Sequence, residues 1–129
     1  MRKKVENLIY KDECYQIIGY CYKVYNSLGS GLKEKNYQKA LEQLLGENRI
    51  AFRSQFYVPL KLNGTVVGKY FLDFLVDDKI AIELKTGGHI LKQDIDQLYA
   101  YLKACNLKLG LLINFTSDGV KYKRIVNLI

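Results

Sequence analysis

Tyr70-Phe-Leu-Asp-Phe-Leu-Val76 and Lys79-Ile-Ala-Ile-Glu-Leu-Lys85 are two short apolar runs, each interrupted by an acid, on either side of Asp77-Asp78. Both have the β-branched and aromatic content and the bounded length of strands, and the aspartate pair between them suits a tight turn. Side chains alternate faces along a strand, so Glu83 and Lys85 point one way while Ile80, Ile82 and Leu84 point the other. Asp73 lies in an otherwise apolar run, where an ionised carboxylate is costly unless it is paired or holds a cation. Closing the two strands into a hairpin brings Asp73 near Glu83, with Lys85 beside them. Two carboxylates suit a hard divalent cation such as Mg²⁺ or Mn²⁺, and a neighbouring ammonium can orient or deprotonate a water. The spacing Asp-x9-Glu-x-Lys therefore reads as machinery for phosphodiester hydrolysis. Its plain alternative is an edge acid beside an ordinary Glu83–Lys85 salt bridge. Ala81, which leaves room on the charged face, argues for the site.

Working outward, Phe52, Ser54, Phe56, Val58 and Leu60 alternate as a further strand, and Asn63-Gly64 is a hairpin turn joining it to the strand of Asp73. Upstream, Lys11 to Leu28 carries Cys14, Ile17, Ile18, Cys21, Tyr25 and Leu28 at helical spacing, ended by Gly29-Ser-Gly31. Lys33 to Gly46 is a second helix with Tyr37, Leu41, Leu44 and Leu45 as its apolar stripe. Glu34, three before Tyr37 and seven before Leu41, falls on that stripe and is expected near the core or a cleft. The competing reading is an acid that only complements the helix dipole. Downstream, Thr86-Gly-Gly88 breaks the chain, and Ile90 to Cys105 shows Leu91, Ile95, Leu98 and Leu102 on one helical face. On that helix Gln97 and Tyr101 stand four apart and can face one cleft. Leu107 to Phe115 is nearly all apolar, as a strand covered on both sides would be. Ser117-Asp-Gly119 then turns into a last strand, Val120 to Val126. The order ααβββαββ predicts an α/β fold in a single domain over residues 1–129, with helices on both faces of a mixed five-stranded sheet.

Composition narrows the function classes. A chain of 129 residues, 49% hydrophobic and 26% charged, is that of a compact soluble domain with a real core. No apolar run is long enough to span a bilayer, and Met1-Arg-Lys-Lys passes into Val5-Glu-Asn without a hydrophobic leader, so a cytoplasmic protein is expected. Cys14, Cys21 and Cys105 read as reduced, packed thiols. With no close Cys-x2-Cys pair, the spacing disfavours a zinc site with His89, and no nucleophile–histidine context suggests a cysteine hydrolase. The formal net charge of +7 favours polyanionic partners.

Gly31-Leu-Lys-Glu-Lys-Asn-Tyr37 is similar to the G-x-x-E-x-x-Y signature of the GxxExxY proteins, a group within the PD-(D/E)XK nuclease-like superfamily. The resemblance runs from about Val24 to Val126. It takes in the Asp73 strand, Ile82-Glu-Leu-Lys85, Gln97-Leu-Tyr-Ala-Tyr-Leu-Lys103 and Leu107-Lys-Leu-Gly-Leu-Leu-Ile-Asn-Phe115. It implies a restriction-endonuclease-like α/β/α fold and a divalent cation, Mg²⁺ or Mn²⁺, held by Asp73, Glu83 and the backbone carbonyl of Leu84. Lys85 would position the attacking water and stabilise charge on the phosphate. Glu34 looks like an added helix-borne carboxylate, reaching the metal directly or through water. Gln97 and Tyr101 resemble the Q-x-x-x-Y motif of the exonuclease-like branch. Thr86-Gly-Gly-His89 departs from the family in its small residues. The implied partner is nucleic acid, DNA above all, with specificity supplied by a homodimer or another chain. Two functions follow: a metal-dependent nuclease, or a catalytically silent nucleic-acid-binding or regulatory module on the same fold.

Overall fold

The computed structural model describes residues 9–128, so the basic N-terminus lies outside it. Helices α1 (Lys11–Leu28) and α2 (Glu34–Glu47) come first. Strands β1 (Phe52–Leu62), β2 (Thr65–Val76) and β3 (Ile80–Thr86) form a meander. Helix α3 (Lys92–Cys105) crosses over to β4 (Leu109–Thr116), and β5 (Gly119–Val126) closes the chain. The sheet order is β1-β2-β3-β4-β5, antiparallel throughout except for the β3–β4 pair that α3 connects. Both hairpin turns of the meander use left-handed residues, Asn63 with Gly64 and Asp77 with Asp78. Two successive positive φ values give the turn whose twist matches that of paired strands, and Asn, Asp and Gly tolerate it best.

Helices α1 and α2 cover one face of the sheet. Ile17, Cys21, Tyr37, Leu41 and Leu45 pack there against residues that include Phe74, Ile80, Ile82, Leu84, Leu111 and Ile113. Helix α3 covers the other face, where Leu98 and Leu102 meet Val58, Leu72, Ala81 and Leu112. Strand β4 lies between both layers and is buried along its length, as its apolar run predicts. The architecture is the expected α/β one, a mixed five-stranded sheet flanked by helices in the restriction-endonuclease-like manner.

Gly110 sets how closely α3 approaches. A Cβ there would stand 3.0 Å from Leu98 Cδ2 and 3.3 Å from Leu102 Cδ1, both side chains being buried. Gly110→Val is therefore expected to cost about 1–3 kcal/mol by overpacking, read as a lower urea midpoint at unchanged slope. A gain in stability would show that the helix can lift off without loss.

One irregularity positions the site. Tyr70 and Leu72 pack on the α3 side, whereas Phe74 and Val76, of the same parity, pack on the side of α1 and α2. Strand β1 reverses in the same way between Phe52 and Phe56. The ladder runs Ser54↔Phe74 and then Phe56↔Leu72, leaving Gln55 and Asp73 between them, and Gln55 is held at a φ of 52°. A strand that alternates regularly cannot change faces. The twist at this pair does it, and the pair carries the first acid.

Candidate active site

Strands β2 and β3 pair only through Phe74↔Ile82, Leu75↔Ala81 and Val76↔Ile80. The next step of that register would set Asp73 against Glu83, and there side chains take over from the backbone ladder. The Asp73 N–H donates to Glu83 Oε1 at 2.9 Å, and the Leu84 N–H donates to Asp73 Oδ2 at 2.7 Å. Each carboxylate is thus oriented by an amide of the other's strand. The Tyr70 hydroxyl donates to Glu83 Oε2 at 3.0 Å, and Tyr101 of α3 stacks on Tyr70 with centroids 4.0 Å apart and planes 13° from parallel.

Glu83 is 5% exposed, and burial followed by the repulsion of Asp73 raises its pKa to about 7. Asp73 is raised as well, first by burial and then by the charge of Glu34. The Leu84 amide, Lys85 and Gln55 act in the opposite direction. Lys85 is half-buried and close enough for its charge to lower both acids, yet forms no ion pair with either. An ordinary Glu83–Lys85 salt bridge is therefore not what the strand carries. The Leu84 side chain sits in the core, which fixes its amide at Asp73.

Glu34 does not share the burial of its stripe. It is the first residue of α2 and is exposed, while Tyr37 and Leu41 turn inward. Its charge is felt at Asp73, but among the described residues no three His, Cys, Asp or Glu side chains gather around one point. The placement of α2 rests on Tyr37. Its hydroxyl donates to the Gly29 carbonyl at 2.7 Å and accepts the Leu32 N–H at 3.3 Å, and its ring stacks on Phe115. Gln97 is exposed one turn before Tyr101. His89 is exposed in the loop after β3, and the three cysteines are free thiols.

Four residues join the site that strand alternation does not predict. Tyr70 reaches Glu83 only because β2 reverses its faces. Gln38 of α2 donates to the Asp73 carbonyl at 3.4 Å and accepts from Gln55 Nε2 at 3.2 Å, bracing the twist. Asn114 is the register partner of Lys85, is fully buried, and has no hydrogen-bond partner for either amide atom. Leaving such a group unpaired costs about 1–3 kcal/mol, which a water or a ligand oxygen ordinarily offsets. Its signal in the sequence is a lone amide in an apolar strand, the pattern that also marks Asp73.

The donor set fits a hard divalent cation. Asp73, Glu83 and the Leu84 carbonyl offer oxygen ligands only, and the buried Glu83 and half-buried Asp73 repel each other, a state that a cation relieves.

A family model described as the PD-(D/E)XK nuclease superfamily matches residues 11–125. The solved structure of SSO0001 is similar at 22% identity and a TM-score of 0.59 over 95% of this chain; the chain spans 62% of that protein's length. An alkaline exonuclease from Laribacter hongkongensis aligns at 13% identity and a TM-score of 0.49, over 83% of this chain and 76% of that one. No curated protein matches significantly. The first likeness is one of fold alone. The family model spans nearly all of the sheet and helices just described, and on that ground the chain belongs to the PD-(D/E)XK nuclease superfamily.

Proposed function

We propose that the protein is a metal-dependent nuclease that hydrolyses phosphodiester bonds, in DNA above all, and that it works in the cytoplasm. The observation that carries this is the reciprocal clasp of Asp73 and Glu83 with Lys85 alongside. Asp73, Glu83 and the Leu84 carbonyl would hold Mg²⁺ or Mn²⁺. Such an ion, when bound, supplies Lewis-acid polarisation of the phosphoryl oxygen and makes water easier to ionise. The Lys85 ammonium, unpaired in an ion pair, is free to orient the attacking water and to meet charge developing on the phosphate. Tyr70 and Tyr101 hold Glu83 in place from the α3 side. Glu34 acts from α2 through water, and Gln97 contacts phosphate at the rim. The Gly31-Leu-Lys-Glu-Lys-Asn-Tyr37 stretch supports membership of the GxxExxY group. A homodimer or another chain provides specificity.

The alternative is a silent binding module. Plasmid and short-duplex cleavage in Mg²⁺, Mn²⁺ and excess chelator separates the two. The nuclease cuts with either ion and stops on chelation. Binding without cutting, across metals and substrates, would establish the silent module instead. No helix of the described residues is long and apolar enough to cross a membrane.

A further inference from the structure

The β1–β2 hairpin has two unlike faces. Phe56, Val58, Leu60, Tyr70 and Leu72 lie beneath α3. On the opposite face Tyr57 is 44% and Phe71 46% exposed. Tyr57 and Phe71 are register partners, their rings 5.5 Å apart, and together they form one aromatic platform. Lys69, paired with Pro59, comes next on that face, and Lys61 follows past a register shift between Leu60 and Lys61. Both lysines are exposed and outside every ion pair among the described residues. From residue 52 to residue 72 the chain contains no Asp or Glu. In the other direction each strand reaches Gln55 and Asp73 two residues on, where the faces reverse. At roughly 3.3 Å per residue, Phe71 stands about 7 Å along the strand from the acid.

We propose that this face of the hairpin is the docking surface for a single-stranded stretch of nucleic acid. Bases stack on Tyr57 and Phe71, and Lys61 and Lys69 meet the phosphates. The proposal rests on the nuclease reading and specifies its substrate: an end, flap or opened strand rather than an intact duplex. Paired bases hide their faces from a flat aromatic platform, whereas unpaired ones offer them in any sequence. A basic ribbon without acids attracts the backbone without repelling it anywhere along its length. Nearness to Asp73 along the strand delivers the nucleic acid to the carboxylates.

Fluorescence anisotropy with labelled oligothymidylate and oligouridylate, against a blunt duplex, tests this at two salt concentrations. Tyr57→Ala/Phe71→Ala is expected to weaken single-strand binding roughly tenfold or more, with duplex binding unchanged. Lys61→Ala/Lys69→Ala is expected to flatten the salt dependence by about 1.4 log units per log unit of salt, at about 0.7 per phosphate contact. Comparison of the two oligonucleotides assigns the strand as DNA or RNA. Unchanged single-strand affinity in the aromatic variant, while wild type binds and cuts, would overturn the surface and leave the nuclease standing. A wild-type dimer that the aromatic variant converts to monomer would overturn it too, making the face a contact between copies. A wild type that binds no nucleic acid and cuts none would remove the nuclease reading itself.

Discussion

Lys85→Ala is expected to lower cleavage by roughly a thousandfold, on the scale of removing one transition-state hydrogen-bond donor, while changing nucleic-acid affinity by less than about threefold. One ammonium at the reacting phosphate acts where charge develops in the transition state. Affinity, in contrast, sums over many backbone contacts from a chain of net charge +7. The structure adds a second effect in the same direction. Lys85 lowers the pKa of both Asp73 and Glu83, so its removal makes each acid harder to ionise. Residual activity in Lys85→Ala should therefore recover as pH rises, more than in wild type. Lys85→Arg keeps the charge and should restore the pH profile, though not the full rate, because a planar guanidinium is not a compact donor. Single-turnover cleavage across pH, with anisotropy for binding, reads both. Wild-type rates in Lys85→Ala would remove the lysine from the chemistry.

The second large effect is on stability in chelator. Glu83 is raised from 4.5 to about 7, first by burial and then by Asp73. A carboxyl raised on folding retains its proton while the unfolded chain releases its own. The stability this gives is fully present below pH 4.5 and is lost as pH climbs through about 7. The loss is at most roughly 3 kcal/mol, at about 1.4 kcal/mol per unit. Metal-free wild type should thus melt lower at pH 8 than at pH 5, and Glu83→Gln should reduce that difference. At pH 8, Mn²⁺ at about a hundredfold excess over its Kd should restore roughly 3 kcal/mol, or about 10 °C in Tm, and Asp73→Ala should gain little. Equal Mn²⁺ shifts in wild type and Asp73→Ala would mean that the ion binds elsewhere.

Much of this was legible in the sequence because two periodicities carried it. The meander, the crossover helix and the element order follow from alternation, turn residues and helical stripes, and the opposition of Asp73 and Glu83 follows from the turn at Asp77-Asp78. The reversal of faces was not legible. It rests on a positive φ at Gln55, a residue type with no particular preference for that region. Tyr70 at Glu83 and the brace from Gln38 both depend on it. Glu34 was placed inward by its spacing, but the first residue of a helix can extend past the layer its later turns cover. Asn114 was visible as a letter in an apolar strand, but its partnerless state belongs to the packing around it.

The clasp between β2 and β3 also bears on how such a chain would drift among its relatives. Asp73 and Glu83 fasten two strands that share only three ladder pairs, and would be retained for architecture after catalysis lapsed. Among the described residues the Lys85 side chain forms no ion pair, so on the nuclease reading only catalysis would retain it. Across descendants that lost cleavage, the lysine is the letter that should erode first.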